Sequence, residues 1–140
     1  MHKPIRTCAL VGQFQDPRVA ECAQALIPVL QARQLTVLAP EAGPAGPTPE
    51  GALSAALPEL IARAELVIAI GGDGTLLHAA GLVGGSGIPL LGINRGRLGF
   101  LTDVLPQDMV TCIDAVLAGD CTAEQRRLLH ARLTAPGGGV

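Results

Sequence analysis

Short unbroken apolar runs alternate along the chain with longer stretches in which apolar residues recur every three or four positions. The first kind predicts buried strands, the second helices packed on one face. Ile5–Val11, bounded by Pro4 and Gly12, predicts a first strand. Asp16 then reads as a helix N-cap, with Pro17 at the first helical position. Val19, Cys22, Ala23, Leu26, Ile27 and Leu30 mark one face of that helix, and Pro28 either bends it or marks its final stretch. Leu35–Ala39 predicts a second strand, and the Pro- and Gly-rich stretch Pro40–Glu50 a mobile surface loop. Gly51–Ala64 is helical in composition, with Pro58 either splitting it or starting a second helix.

Leu66–Ile70 is wholly apolar, as in a central strand covered on both faces. Gly71-Gly72-Asp73-Gly74 follows at once, and Thr75–Val83 reads as a helix. Ile88–Ile93 is the next strand, Asn94–Thr102 a loop, and Pro106–Leu117 a helix with Met109, Ile113, Val116 and Leu117 inward. Leu128–Leu133 alternates weakly and predicts one further strand. This organisation gives one domain over residues 1–134 and an unstructured tail, or the start of a further domain, over 135–140. Strands alternating with helices through short connections imply an α/β fold with a parallel sheet. In such sheets ligands bind outside the carboxyl ends of the strands. The glycine clusters after Ile70 and after Ile93 both fall at such ends.

Composition narrows the partners. Ten Lys+Arg against 12 Asp+Glu give a net charge of −2 and no basic footprint for nucleic acid. The absence of Trp and Tyr, with only Phe14 and Phe100 as aromatics, also disfavours a base-stacking surface. No apolar run approaches the roughly 18 residues needed to cross a bilayer, so no membrane partner is expected. Cys8, Cys22, Cys112 and Cys121 form no C-x-x-C pair and have no histidine at ligand spacing. They read as reduced, mostly buried thiols of a cytoplasmic protein, and no metal site is assigned.

The chemistry lies in the glycines, 18 of 140 residues. In Gly71-Gly72-Asp73-Gly74-Thr75 a strand turns sharply into a helix with almost no side chains in the way. Backbone N–H groups and the helix N-terminus then suit a phosphate or pyrophosphate. Asp73 would repel that anion, so it reads instead as the proton acceptor for an attacking hydroxyl, or as a magnesium contact. A bland alternative is a glycine-rich turn with Asp73 as helix cap. A Walker A loop is excluded because the chain's lone lysine is Lys3. The dinucleotide pattern G-x-G-x-x-G fails because Leu77 stands where the third glycine belongs. Gly84, Gly85 and Gly87 precede a strand and read as a plain connection.

Gly71–Leu77, taken together with Leu91-Gly92-Ile93-Asn94-Arg95-Gly96-Arg97-Leu98-Gly99-Phe100-Leu101-Thr102, strongly resembles the N-terminal half of the NAD kinases. The GGDGT loop alone is shared with diacylglycerol and sphingoid-base kinases. The second stretch is what singles out the NAD kinases. The resemblance implies a Rossmann-like parallel sheet with flanking helices, followed in the family by an all-β domain, with the active site between the two. It implies ATP-dependent phosphorylation of the 2′-hydroxyl of the adenosine ribose of NAD, giving NADP, with a divalent metal, magnesium by default. On this resemblance Asp73 is the proton acceptor and the Gly71, Gly72, Gly74 and Thr75 loop faces the dinucleotide and phosphates. His78 matches an NAD-contacting position, Phe100 packs on adenine with Leu77 lining the same pocket, and Asn94 braces the two loops.

Arg95 and Arg97 are candidates to steer a triphosphate, with solvated loop residues as the plainer reading. His2, His130 and Arg126-Arg127 receive no role. The family's second motif, an Asn-Glu pair, has no counterpart after Leu133, and neither does the β-domain that carries the usual homo-oligomer interface. The chain alone is therefore expected to be nearly inactive. The alternatives are a non-catalytic nucleotide-binding module and a lipid kinase domain.

Overall fold

The computed structural model of the chain describes residues 4–44, 46–95 and 104–120. Five parallel strands form one sheet: β1 (Thr7–Gly12), β2 (Thr36–Pro40), β3 (Leu53–Ala55), β4 (Leu66–Gly71) and β5 (Leu90–Asn94), in the order β3-β2-β1-β4-β5. Four helices accompany them: α1 (Pro17–Ala32), α2 (Leu57–Arg63), α3 (Asp73–Val83) and α4 (Met109–Leu117), the last entered through a 3-10 turn at Pro106–Asp108. The α/β class with a parallel sheet and flanking helices is as the alternation of patterns predicts.

The period of two along each strand divides the core. Cys8, Leu10, Ile68, Ile70 and Ile93 face α1 and α4, where they meet Val19, Leu26, Leu30, Met109 and Ile113. Ala9, Val11, Val67 and Ala69 face the other way, against Leu60 of α2 and Ala79 and Val83 of α3. Alanines on both partners let α3 lie close to the sheet. Every residue of β4 is buried, as its unbroken apolar run requires.

Local chemistry sets the boundaries. The Asp16 side chain accepts the Arg18 N–H at 3.0 Å, capping α1 as read from the sequence. Pro28 interrupts no element: α1 runs through it to Ala32, because the proline lies on the solvent side, where water serves the carbonyl it cannot bond. The helix closes on Gln34, a non-glycine at φ 65°, with the Leu35 N–H returning to the Leu30 carbonyl at 3.1 Å.

One sequence expectation is corrected. Gly51–Ala64 is not one helical stretch: Gly51 turns the chain at φ 95°, and Leu53–Ala55 pairs with Leu38–Pro40 as an edge strand. Helix α2 begins only at Leu57, with Pro58 in its first turn, where a missing N–H costs nothing. The proline starts the helix. The Pro40–Glu50 loop carries its own ties, a Gly43–Gly46 backbone pair and a Thr48 hydroxyl donating to the Pro40 carbonyl at 2.8 Å. The strand expected at Leu128–Leu133 and the tail 135–140 lie outside the described residues, as do Cys121, Arg126 and Arg127.

Candidate functional site

Chain order locates the ligand crevice. From β1 the chain moves through α1 to β2 and β3 on one side; it then crosses by α2 to β4 and β5 on the other. The strand order therefore reverses between β1 and β4, and the crevice opens outside their carboxyl ends. Those ends are Gly12 and Gly71. Gly12 lies beside Ile70, and Gly71 pairs in register with Asn94 of β5.

The glycine loop is built for a tight turn. A Cβ on Gly71 would fall 2.5 Å from Thr75 Oγ1 and 2.9 Å from Thr75 Cβ, so the first turn of α3 closes onto a bare backbone. Gly72 is the N-cap of α3 and Asp73 its first residue. The cap reading of Asp73 therefore gives way: Gly72 holds that position, and the carboxylate stands one residue further on, at the positive end of the helix. Among the described residues nothing lies within 4 Å of a Cβ placed on Gly74, at the entrance of the helix.

The other candidates divide. Gly74, Thr75 and His78 line one wall of a cavity of about 390 Å³, and Gly12, Gln13 and Pro40 line the opposite wall. That volume suits a nucleoside-sized group. Leu77, on the same helix, is 56 % exposed and does not line this cavity. Asn94 is buried at the end of β5, and the next backbone N–H, of Arg95, donates to the Gly71 carbonyl at 3.1 Å. The backbone thus joins the two glycine-bearing strand ends directly. Phe100 and Arg97 lie outside the described residues.

Sequence reasoning passed over Gly12, Gln13 and Pro40, the far wall of the cavity. The rule that marked Gly71, the carboxyl end of a strand, also marks Gly12 and Pro40. It needed the strand order, which shows β1 to be central. Asp16, read only as a cap, also approaches Arg95, its Oδ2 lying 3.6 Å from Arg95 Nε. Among the described residues no group of three or more His, Cys, Asp or Glu is placed to hold a metal ion, and no helix is long and apolar enough to cross a membrane.

Comparison with known proteins agrees with this geometry. Residues 9–121 match the family model of the ATP-NAD kinase N-terminal domain. The chain is 44 % identical over 133 residues to the NAD kinase of Methylococcus capsulatus, covering 95 % of this chain and 46 % of that protein. It is likewise 44 % identical over 133 residues to the NAD kinase of Nitrosococcus oceani, covering 95 % and 45 %. The crystal structure of yeast NADH kinase complexed with NADH shares the fold at a TM-score of 0.71 and 19 % identity, over 85 % of this chain and 40 % of that one. The chain thus spans less than half the length of these relatives. With its GGDGT turn at the switch point of a parallel sheet, the chain belongs to the NAD kinase family, as its N-terminal α/β domain.

Proposed function

We propose that this chain is the part of a NAD kinase that carries the catalytic aspartate, and that it directs the γ-phosphoryl group of ATP to the 2′-hydroxyl of the adenosine ribose of NAD. One observation carries this reading. Asp73 stands in the first turn of α3, directly after the bare Gly71-Gly72 backbone and beside a nucleoside-sized cavity at the switch point. A carboxylate there lies next to helix amides that favour phosphate, so the acceptor's proton and the donor's charge are handled at one helix end.

In this mechanism Asp73 accepts the proton of the 2′-hydroxyl as its oxygen attacks phosphorus and the bond to the ADP oxygen breaks. The loop amides meet the phosphate charge. His78, Gly74 and Thr75 line the cavity that receives part of a nucleotide, while Asn94 holds the end of β5 against Gly71. Phe100 and Leu77 as an adenine platform extend the proposal. Among the described residues of the loop, the Asp73 carboxylate would hold a magnesium ion, which would supply charge neutralisation to the donor's phosphates.

The test is ATP-dependent formation of NADP by the 140-residue chain, by the complete gene product, and by its Asp73→Asn variant. Loss of a general base costs about 10²–10⁴-fold in rate. Equal rates in the complete product and its Asp73→Asn variant would remove the assignment, and phosphorylation of diacylglycerol in place of NAD would favour a lipid kinase. The isolated chain is expected to turn over far more slowly than the complete product, because in the family a β-domain closes the cleft and positioning errors near 1 Å cost roughly 10²-fold.

A further inference from the structure

The far wall of the cavity rests on a loop that approaches it from outside. Gln13 stands on that wall, in the turn between β1 and α1. The turn closes on itself through the Asp16 N–H, which donates to the Gln13 carbonyl at 2.9 Å. Toward β4 the backbone has no room to recede: a Cβ on Gly12 would stand 2.7 Å from the Ile70 carbonyl oxygen. From the Pro40–Glu50 loop, Gly46 presses on Gln15. A Cβ there would fall 2.6 Å from the Gln15 backbone nitrogen and 3.1 Å from the Phe14 carbonyl carbon. Gly46 also takes φ 108°, a conformation open to glycine and strained for other residues.

Two side chains carry the contact from the loop to the cavity. Gln15 Oε1 lies 3.0 Å from the same Cβ position, and Gln15 Nε2 donates to Gln13 Oε1 at 2.9 Å. That bond occupies the Gln13 oxygen, so the side chain offers a ligand its N–H groups, which suit an acceptor on a base or ribose. The loop is tied down behind the contact. Gly43 and Gly46 exchange two backbone hydrogen bonds at 3.1 and 2.9 Å, and the Thr48 hydroxyl closes the base of the loop on the Pro40 carbonyl. Gln31 Nε2 of α1 donates to the Gly51 carbonyl at 3.1 Å. Gln13 and Gln15 are both exposed, so their bond buries no apolar surface and must offset the side-chain entropy it removes. Its consequence is the orientation of Gln13.

We propose that Gln13 holds a nucleoside from the far wall, and that Gly46 and Gln15 are positioning residues that aim it. This assignment rests on the kinase reading above and concerns binding alone. The phosphoryl step stays with Asp73 and the glycine loop, and the group that Gln13 meets is an uncharged hydrogen-bond acceptor.

Steady-state kinetics of NADP formation by the complete gene product, with ATP and NAD varied in turn, tests the relay. Loss of one hydrogen bond predicts that Gln13→Ala raises KM for one nucleotide about tenfold, with KM for the other and kcat within about twofold. Gln15→Ala, at an exposed side chain that the fold does not need, raises the same KM about threefold. Gly46→Ala raises it by about three- to tenfold, and adds less than about twofold in a Gln13→Ala background because it acts through Gln13.

A purely structural loop gives a different pattern. Gly46→Ala then lowers thermal stability with both KM values unmoved, or its effect adds in full to that of Gln13→Ala. Either result would overturn the proposal, as would an unchanged KM for both nucleotides in Gln13→Ala or in Gln15→Ala. If the complete product makes no NADP, titration calorimetry with ATP and with NAD reads the same relay as Kd. A Gln13-dependent effect of Gln15→Ala on either ligand then leaves the positioning standing while the kinase reading falls; no effect on either removes both.

Discussion

Gly71 and Gly74 sit three residues apart in one loop, yet the structure gives them opposite reasons to be glycine. At Gly71 the constraint is internal. An alanine Cβ would stand 2.9 Å from Thr75 Cβ and 2.5 Å from Oγ1. Thr75 Cβ is fixed to the helix backbone and cannot rotate away. Reaching ordinary contact near 3.4 Å moves the first turn of α3 by about half an ångström. Overpacking of this kind costs roughly 1–3 kcal/mol, and the residues displaced include Asp73. With about 10²-fold lost per ångström of misplacement, a shift of half an ångström predicts about a tenfold loss in turnover.

At Gly74 nothing among the described residues lies within 4 Å of the same atom. Gly74→Ala therefore carries no steric cost in the protein alone, and α3 gains up to ~1 kcal/mol in helix propensity. If the open space is where the nucleotide's phosphates approach the backbone, the added methyl group still lowers turnover by about tenfold or more. Urea unfolding followed by far-ultraviolet circular dichroism measures the first effect, since a chain without Trp or Tyr gives no useful fluorescence. NADP formation by the complete gene product measures the second. A Gly71→Ala protein as stable as the wild type would refute the steric argument. Full activity in Gly74→Ala would refute the idea that a ligand occupies that space.

Two further predictions concern the scaffold. Burial pushes the Cys8 thiol up to about 12 and the Cys22 thiol up to about 11, from an ordinary value of 9.0. Above pH 9 the unfolded chain releases protons that the folded one retains, so stability is full below pH 9 and falls as pH rises toward these values. The slope is about 1.4 kcal/mol per pH unit for each thiol. Urea midpoints should decline from pH 9 to pH 11, and a Cys8→Ala, Cys22→Ala double variant should flatten the decline; a flat wild-type profile would refute the coupling. Gln34 closes α1 at φ 65°, where a side chain costs roughly 1–2 kcal/mol. Gln34→Gly is therefore expected to raise stability by up to ~1 kcal/mol after the added chain entropy of glycine; a drop would mean that the glutamine side chain makes good the strain.

What the sequence reveals here depends on how local the cause is. The apolar run of β4, the cap at Asp16 and the glycine turn before α3 are each decided within a few residues, and each appears where its pattern puts it. β3 was hidden because Leu53–Ala55 owes its strand to β2, a partner across a turn, and its alanine-rich composition suits a helix equally well. Arg95 stood out in the sequence only as a candidate to steer a triphosphate, with a solvated loop residue as the plainer reading, and its surroundings were hidden for the same reason at a larger scale. Its meaning comes from Asp16, 79 positions away in sequence, and from the bare flank of Gly72.

This difference bears on the chemistry. In the function proposed above, a motif such as GGDGT brings a backbone close to an anion, because glycine's lack of a side chain is itself the device. It does not state which cation completes the site, since that group arrives from another strand end through the topology. In this chain β5 lies next to β4, and its register sets Asn94 opposite Gly71. The residue after Asn94 must therefore emerge beside Gly72. Arginine at that one position reaches the helix cap, its Nη1 lying 3.2 Å from where a Cβ on Gly72 would stand. The parallel register of β4 and β5, fixed by apolar residues far from the crevice, thus decides whether the glycine loop has a cation beside it.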